Sequence, residues 1–311
     1  MRIVFMGTPD IAVGPLASLI EAGHEVCAVI TRADKPKGRG YELMPTPVKA
    51  EALKHGIEVL HPKKLDAPEF TEKLKAYNAD VFVVMAFGRL IPKVLLDMPR
   101  LGCINIHASL LPSYRGSAPI QWAVIDGRKQ TGITTMQMNE GLDTGDILKQ
   151  YLCDIEADET GGSLFDKMSA MAGPAICDTL DLLDKGQIVP KAQGDTDTAY
   201  ARMFTKEDGL IDWSQPADNI ERLIRGLDPW PGTYTYLNGK LLKIWKAEVS
   251  DMTSSEKPGT VIKESTKDLP VATGRGVLLI KELQPEGKKR MSTDAFLRGC
   301  RVESGTVFGK E

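Results

Sequence analysis

Two polar side chains stand two residues apart in an otherwise apolar stretch of the chain. Asn105 and His107 alternate with Ile104 and Ile106 in the segment 103–107. Because side chains alternate between the two faces of a β-strand, this spacing predicts that the amide and the imidazole share one face. Burying such groups is costly unless each finds a partner. The pair therefore points to hydrogen-bonding or acid–base chemistry at the end of a strand.

A carboxylate follows in a second loop. Asp143 lies between Gly141 and Gly145, after the apolar segment 132–138, which we interpret as another strand. Sites in α/β proteins form at the carboxyl ends of strands, so we expect Asp143 to converge with Asn105 and His107 from adjacent strand ends. Two structural alternatives remain for these residues: a satisfied core histidine and a turn aspartate. Taken together, the three residue types favour a catalytic site.

The cysteines offer a weaker candidate. Cys103 has the same parity as His107, so a thiol nucleophile is geometrically conceivable. The five cysteines stand at positions 27, 103, 153, 177 and 300 without the paired spacing of a metal site, which indicates reduced thiols in a reducing compartment. No His, Cys and Asp set has the spacing of metal ligands, so we predict no metal.

Composition places the chain among ordinary soluble globular proteins. It has 311 residues, of which 42% are hydrophobic and 26% are charged, enough for one large domain or two ordinary ones. The net charge of −3 argues against nucleic-acid binding through a global positive field, so such a partner would need a local basic patch. The sequence shows neither a signal peptide nor a membrane-spanning run, and we expect a cytoplasmic protein.

Apolar runs alternate with amphipathic segments through the first part of the chain. This alternation predicts a mostly parallel sheet covered by helices. The predicted strands are 1–7, 25–31, 58–60, 80–86, 103–107 and 132–138, and the predicted helices are 11–22, 48–55, 67–76, 118–126 and 161–186. The first turn, Gly7-Thr8-Pro9, lacks the further glycines of a dinucleotide fingerprint, which makes a nicotinamide dehydrogenase a poor alternative.

The segment 32–47 is predicted to be a long loop rich in positive charge. Between Arg32 and Lys64 the sequence has eight basic and four acidic residues, with Lys35, Lys37 and Arg39 in the loop itself. Most such runs are solvated surface. A loop of this length is more often functional, and glycines beside Arg39 would allow close approach to a phosphate backbone.

The pattern changes near residue 190. Residues 190–206 are small and polar and are interpreted as a linker. After a helix at 216–227, short β-rich runs predict a small barrel of the kind that binds nucleic acids. The predicted strands are 233–237, 241–249, 259–262, 269–273, 276–283 and 305–308. Charge from residue 207 onward is balanced, so binding there would need one basic face, for which the candidates are Lys240, Lys243, Lys246, Lys281, Lys288, Lys289 and Arg290.

With these residues in hand, the chain resembles the methionyl-tRNA formyltransferase family, whose members use 10-formyltetrahydrofolate. The resemblance runs from end to end. The motifs are Gly7-Thr-Pro, Gly38-Arg-Gly40, Ala86-Phe-Gly88, Asn105-Ile-His-Ala-Ser-Leu-Leu-Pro112, Tyr114-Arg-Gly116, Leu142-Asp-Thr-Gly145, Ile211-Asp-Trp213 and Pro229-Trp-Pro231. It implies a doubly wound, Rossmann-like formyltransferase domain at 1–189, the linker at 190–206, and a tRNA-binding, OB-fold-like barrel at 207–311.

The resemblance also assigns roles to residues. Asn105, His107 and Asp143 match the family's catalytic positions, and Arg39 with neighbouring Lys35 and Lys37 matches its tRNA-binding loop. Tyr41 and Glu42 follow where family members often have further basic residues. The folate-binding positions implied by the family are Ser109, Leu110, Leu111, Pro112, Phe87, Gly88, Arg89, Leu90, Asn139, Glu140, Gly141 and Leu142.

The activity implied is formyl transfer from the folate to the α-amine of methionyl initiator tRNA. The oxyanion that develops on the formyl group would meet donors from Asn105 and His107, while Asp143 would orient His107 and help to move the proton. We expect a monomer with tRNA and folate as partners, no membrane and no metal. The alternatives are a formyl-folate transferase acting on a sugar nucleotide or purine precursor, and a non-catalytic RNA-binding protein.

Overall fold

The computed structural model describes residues 1–37 and 42–309, and the chain forms two compact units. The first unit contains residues 1–119, 130–154 and 165–202, and the second contains 120–129, 155–164 and 203–311. The predicted boundaries 1–189, 190–206 and 207–311 stay predictions. Within the described residues, no helix has the length and apolar character needed to cross a membrane.

The first unit is built on a seven-stranded sheet in the order β5-β2-β1-β6-β7-β8-β9. A separate two-stranded hairpin, β3–β4, lies within the segment predicted to be a loop. The strands are β1 (Arg2–Gly7), β2 (Glu25–Ile30), β3 (Lys35–Lys37), β4 (Glu42–Met44), β5 (Val59–Leu60), β6 (Val81–Met85), β7 (Cys103–His107), β8 (Gln130–Gln137) and β9 (Ile147–Asp154).

Helices cover both faces of this sheet, as the doubly wound prediction requires. On one face Leu74 and Leu95 pack with Val4 and Phe82 in a common apolar cluster. On the other face, the Thr179 hydroxyl of the longest helix hydrogen-bonds Thr135 of β8 at 2.9 Å. The helices of this unit are α1 (Val13–Glu21), α2 (Pro47–Lys54), α3 (Pro68–Ala76), α4 (Lys93–Leu96) and most of α6 (Gly161–Asp184), with a 3₁₀ turn at Asp10–Ala12. Helix α5 (Pro119–Ile125) belongs to the second unit from residue 120 onward.

Strand order identifies the edge of the sheet at which a site should form. The chain runs outward from β1 through β2 to β5 and then returns to β6 on the other side of β1. The order of strands therefore reverses between β1 and β6, and ligands of open α/β sheets bind in the crevice outside the carboxyl ends of the strands at such a point. Phe87 follows β6 at this edge, and Asn105 of β7 pairs with Val84 of β6.

The sheet is mostly parallel, as predicted, but the expectation that Asp143 follows a strand end adjacent to that of β7 is wrong. Strands β5, β2, β1, β6 and β7 are parallel, but β8 runs antiparallel to β7 and β9 antiparallel to β8. The carboxyl end of β8, at Gln137, therefore lies beside Ile104 rather than beside His107. The three residues from Ile104 to His107 span about 10 Å of strand. The loop after β8 must run back over this distance for Asp143 to reach His107.

The second unit is a curled antiparallel sheet in the order β10-β11-β13-β12, with β14 paired to β13. Ile220 and Ile224 of α7, four residues apart on one helix face, pack into its apolar core. Its strands are β10 (Thr233–Leu237), β11 (Lys240–Ser250), β12 (Leu269–Ala272), β13 (Val277–Pro285) and β14 (Met291–Ser292), and its helices are α7 (Ala217–Gly226) and α8 (Thr293–Leu297), with a 3₁₀ turn at Glu207–Gly209.

The strands predicted at 259–262 and 305–308 are not regular strands. They form isolated bridges, Thr260 with Val307 and Val261 with Val271. The Gly309 N–H also donates to the Tyr236 carbonyl of β10 at 3.0 Å. These bonds connect β12 to β10 across the open side of the curled sheet. The two segments thus help to close the barrel through single bridges, although neither forms a regular strand.

Candidate active site

Strand β7 presents Asn105 and His107 on one face, as the sequence predicts. Their exposed fractions are 8% and 6%. Among the described residues, none forms a hydrogen bond with the Asn105 side chain. A largely buried amide that forms no such bond keeps its donor and acceptor atoms for a bound ligand. Asn105 is therefore a hydrogen-bond donor available to a ligand.

His107 contacts one neighbour through each ring nitrogen. Its Nε2 lies 3.1 Å from the Tyr114 carbonyl oxygen. A carbonyl oxygen only accepts, so Nε2 carries a hydrogen and donates it. Nδ1 lies 3.8 Å from the Asp143 Oδ2. The ring is thus held by Tyr114 on one side and faces a carboxylate on the other, an arrangement suited to proton transfer at Nδ1.

Asp143 reaches His107 from the loop 138–146, which folds back along β7. Asp143 has a left-handed backbone, with φ of 52°. Its Oδ2 accepts a hydrogen bond from the Gly116 N–H at 2.9 Å. Asn139 forms the first turn of the loop, since its Oδ1 accepts from the Gly141 N–H at 3.0 Å and the Thr144 hydroxyl at 2.9 Å. The carboxylate is therefore placed by loop geometry.

The segment Ser109–Pro112 forms a fixed shelf after β7. The Thr134 hydroxyl of β8 donates to the Ser109 carbonyl at 2.6 Å and accepts from the Leu111 N–H at 3.1 Å. The Ser109 hydroxyl donates to the Ser113 carbonyl at 2.7 Å. Ser109 and Leu111 are buried, and the Leu111–Pro112 peptide bond is cis. The side chain of Ser109 therefore serves the loop itself, and a ligand would contact this segment through its backbone and through Leu110.

The segment Phe87–Leu90 has mixed roles. Phe87 is buried, and the Arg32 guanidinium donates to the Gly88 carbonyl oxygen. Arg89 donates to the backbone carbonyls of Pro62 at 2.8 Å and Lys63 at 2.9 Å, so its guanidinium is tied to the scaffold. Leu90 is 70% exposed and is the free apolar side chain of this segment.

The third segment predicted to line the pocket is Asn139–Leu142. Asn139 and Gly141 form the turn described above, and Glu140 is exposed. Leu142 is 50% exposed. Of the twelve residues predicted to contact the folate, Leu90 and Leu142 thus have the most exposed apolar side chains, whereas Leu110 and Pro112 are half-buried.

The basic hairpin is described only in part. Lys35 and Lys37 lie in β3, paired with Met44 and Glu42 of β4, whereas Arg39 lies outside the described residues. The base of the hairpin is fixed by an ion pair between Asp34 and Lys49 at 2.6 Å. Next to it, Thr46 caps α2 by accepting the Lys49 N–H at 3.1 Å.

Cys103 is unsuited to the role of nucleophile. It is fully buried, and its Sγ lies 3.4 Å from the Leu95 carbonyl oxygen. Burial, with a smaller contribution from Asp97, raises the pKa of its thiol to about 12. The thiolate is the reactive form of cysteine, so this side chain belongs to the core.

The residues that sequence reasoning missed lie in the predicted linker. We call residues 191–201 the strap. At its ends Lys191 pairs with Ile147 and Ala201 pairs with Gly116, and between them Gln193 donates hydrogen bonds to two carbonyls of the Asp143 loop. The polar, irregular composition of the strap has no periodicity, so its sequence contained no signal for this packing.

Among the described residues, no group of three His, Cys, Asp or Glu side chains is placed to hold a metal ion.

The sequence matches two family models. Residues 1–180 match the formyl transferase model, and residues 203–301 match the formyl transferase C-terminal domain. Methionyl-tRNA formyltransferase from Agathobacter rectalis is 52% identical over 308 residues, which is 99% of each chain. The enzyme of the same name from Lachnospira eligens is 51% identical over 315 residues and covers 100% of each chain.

Solved structures share the fold at low sequence identity. HypX from Aquifex aeolicus in complex with tetrahydrofolic acid has a TM-score of 0.62 and 18% identity, over 96% of this chain and 47% of that chain. The N-formyltransferase from Helicobacter canadensis with folinic acid and dTDP-3-aminofucose has a TM-score of 0.68 and 17% identity, over 94% and 100% of the two chains. Together with the family models and the full-length relatives, this shows that the chain belongs to the formyl transferase family, alongside relatives named methionyl-tRNA formyltransferase.

Proposed function

We propose that the protein transfers the formyl group of 10-formyltetrahydrofolate to the α-amine of methionyl initiator tRNA. The observation that carries the chemistry is the meeting of the unpartnered Asn105 amide with the His107–Asp143 pair on one face of β7. The full-length relatives, about half identical and named for this activity, support the choice of substrate.

In the proposed reaction the methionyl amine attacks the formyl carbon, and negative charge develops on the formyl oxygen. Asn105 donates to that oxygen without any change of its own protonation. A single preorganised donor of this kind typically contributes about 10²–10³ in rate. The amide is well suited to the task because it is buried and forms no other side-chain hydrogen bond among the described residues.

His107 and Asp143 then move the proton from the attacking amine to the folate nitrogen. The attacking amine loses a proton, the bond between the formyl carbon and the folate nitrogen breaks, and that nitrogen gains a proton. Because Nε2 already carries a hydrogen bonded to the Tyr114 carbonyl, His107 takes up the amine proton at Nδ1, 3.8 Å from the Asp143 carboxylate, and gives it from Nδ1 to the folate nitrogen. The bond from Nε2 to the Tyr114 carbonyl keeps the ring oriented during the transfer.

The folate is proposed to bind at the carboxyl edge where the strand order reverses. Ser109–Pro112 supply backbone groups from a shelf anchored on Thr134. Leu90 and Leu142, exposed at 70% and 50%, supply apolar surface for the pterin. These features fit a flat, amide-rich ring system, which needs apolar contact on its faces and hydrogen bonds at its edges.

The tRNA is proposed to contact the segment 32–47 through Arg39, Lys35 and Lys37 and to contact the C-terminal region 207–311 through basic side chains such as Lys243 and Lys288. Basic side chains bind the phosphate backbone by releasing counterions. The protein is proposed to act in the cytoplasm as a monomer with 190–206 as the linker of the two domains. Light scattering of the purified protein tests the monomer.

The decisive experiment measures transfer of labelled formyl from 10-formyltetrahydrofolate to charged tRNA. Methionyl initiator tRNA should be formylated, whereas methionyl elongator tRNA should react poorly. An amino sugar nucleotide and a purine precursor amine serve as alternative acceptors. Efficient transfer to either of them with none to the tRNA would reject the proposal, and folate binding without any transfer would indicate a non-catalytic protein.

A further inference from the structure

The strap holds two loops that meet at the proposed catalytic pair. Its first end is fixed by the Lys191 N–H donating to the Ile147 carbonyl at 2.9 Å and the reverse bond at 2.8 Å. Its second end is fixed by Ala201, whose N–H donates to the Arg115 carbonyl at 2.8 Å and whose carbonyl accepts from the Ser117 N–H at 2.8 Å. A segment that begins beside the Asp143 loop therefore ends beside the loop that follows His107.

One side chain of the strap joins the two loops directly. The Gln193 Nε2 donates to the carbonyl oxygens of Asp143 at 2.9 Å and Gly145 at 2.7 Å, and its Oε1 accepts from the Arg115 Nε at 2.9 Å. Carbonyl oxygens only accept and a guanidinium only donates, so a single orientation of the amide satisfies all three bonds. Gln193 is thus fixed at three points by the two loops.

The backbone that Gln193 holds is in an uncommon conformation. Asp143 has φ of 52°, a region that residues other than glycine enter at a cost and keep only when their surroundings fix them. Two contacts fix this residue from opposite ends. Gln193 holds its carbonyl oxygen, and the Gly116 N–H holds its Oδ2 at 2.9 Å. Loss of the first contact would let the loop relax and move the carboxylate relative to His107.

We propose that Gln193 is a positioning residue for the reaction, acting through the Asp143 and Gly145 carbonyls to hold the Asp143 carboxylate against His107. This inference rests on the proposed formyl transfer. Gln193 is neutral, so it fixes the loop without adding a charge beside the carboxylate. Among the described residues, its side chain bonds to the backbone of Asp143 and forms no hydrogen bond with the side chains of Asn105, His107 or Asp143, so its effect is one of placement.

The test replaces the carboxamide by an apolar chain of similar length. Gln193→Met should lower kcat by about ten- to a hundredfold, the range expected when a reacting group is displaced by about an ångström. The KM for folate should change by a smaller factor than kcat, because the shelf and Leu90 are untouched and Leu142 is the one proposed folate contact in the released loop. The matched control is Gln130→Met, which removes one exposed hydrogen bond to Asp154 and should leave kcat unchanged.

A double-mutant cycle separates positioning from general damage. If Gln193 acts through Asp143, then Gln193→Met should have little further effect on kcat when Asp143→Asn is already present. A merely structural role would lower kcat by the same factor in both backgrounds. Equal factors, or a Gln193→Met enzyme with normal kcat, would overturn the proposal.

Hydrogen exchange gives a readout that does not depend on activity. Gln193→Met should speed amide exchange in residues 139–146, whereas Gln130→Met should not. If the wild-type protein forms no formylmethionyl-tRNA, the proposed function fails, and the exchange result alone then decides whether Gln193 holds the loop. Unchanged exchange in 139–146 would reject the positioning role whatever the substrate proves to be.

Discussion

Both sheets of this protein bury threonines that form local hydrogen bonds, including Thr134 and Thr135 in the N-terminal sheet, but the N-terminal sheet also buries two polar side chains of another kind. In the curled C-terminal sheet, Thr233 donates to the Ile244 carbonyl at 2.7 Å, and Thr235 accepts from the Trp213 indole at 3.0 Å. In the N-terminal sheet, Asn105 is buried without a side-chain partner among the described residues, and His107 faces Asp143 beyond hydrogen-bonding distance.

The difference separates polar groups that serve the fold from polar groups that await a ligand. A buried hydroxyl that donates to a carbonyl has met its own desolvation cost, and its removal should lower stability. A buried amide with no partner contributes nothing of that kind to the folded state. Burial of polar side chains is therefore informative about function only when their hydrogen bonds are counted.

The largest effect on kcat is expected at Asp143, one of the polar groups assigned to function. Asp143→Asn should lower kcat for formyl transfer by about 10²–10⁴, because the amide cannot stabilise a protonated His107. Stability should change little, since asparagine tolerates the left-handed backbone found at this position. Steady-state kinetics and thermal unfolding measure the two quantities. Asp97→Asn, which removes only an exposed ion pair with Lys93, is the control. Near-normal turnover of folded Asp143→Asn would contradict the assignment.

Asn105 tests directly whether a buried polar side chain serves function and not stability. Asn105→Ala should lower kcat by about 10²–10³ through loss of the oxyanion donor. The free energy of unfolding should stay nearly the same, because the wild-type amide forms no side-chain hydrogen bond that folding would lose. Denaturant titration alongside single-turnover kinetics provides the data. A variant that was clearly less stable and yet fully active would place Asn105 among the structural polar groups.

The opposite outcome is expected in the curled sheet. Thr235→Val leaves the buried Trp213 N–H without an acceptor and should lower the free energy of unfolding by about 1–3 kcal/mol. The kcat should not change. Urea unfolding followed by tryptophan fluorescence measures the loss, with the exposed Val249→Ala as control. If Thr235→Val reduced kcat while stability held, the division between the two sheets would be wrong.

The smallest effect is expected for Arg39, which lies outside the described residues. Arg39→Ala should raise the KM for tRNA by up to about tenfold and reduce the slope of log affinity against log salt by about one, as for one lost phosphate contact. Folate affinity should be unaffected. Lys75→Ala, which removes an exposed charge paired with Glu72, is the control. Equal changes in tRNA and folate affinity would argue against a nucleic-acid role for the hairpin.

Periodicity in the sequence predicted the features that depend on neighbouring residues, such as the bounds of a strand and the face on which its side chains lie. Strand β7 has the predicted bounds, and its alternation places Asn105 and His107 on one face. Whether a neighbouring strand runs parallel or antiparallel depends on connections that leave no local trace, and for that reason β8 was assigned the wrong direction relative to the site. Strands β3, β4, β9 and β14 and helices α4 and α8 were not predicted, and all of them except β9 are short.

The strap shows a second limit of sequence reasoning. Gln193 lies in a stretch whose small polar residues are typical of linkers, and nothing in its own neighbourhood indicates contacts with Arg115, Asp143 and Gly145. Irregular segments are placed by bonds to residues distant in sequence. Such segments can be assigned only after the elements that they cross are in place.

The composition of the second unit has a consequence for the gene. Residues 120–129 and 155–164 belong to this unit although they lie between segments of the first unit in the sequence. Trp122 stacks on Phe204 at 4.8 Å between ring centroids, and Gly161 has no side chain where the Gly226 carbonyl passes. A fragment that begins at residue 203 would lack these partners. Separating the coding sequence into two independently inherited halves would thus leave the C-terminal product with uncovered aromatic surface, and we expect the halves to remain fused.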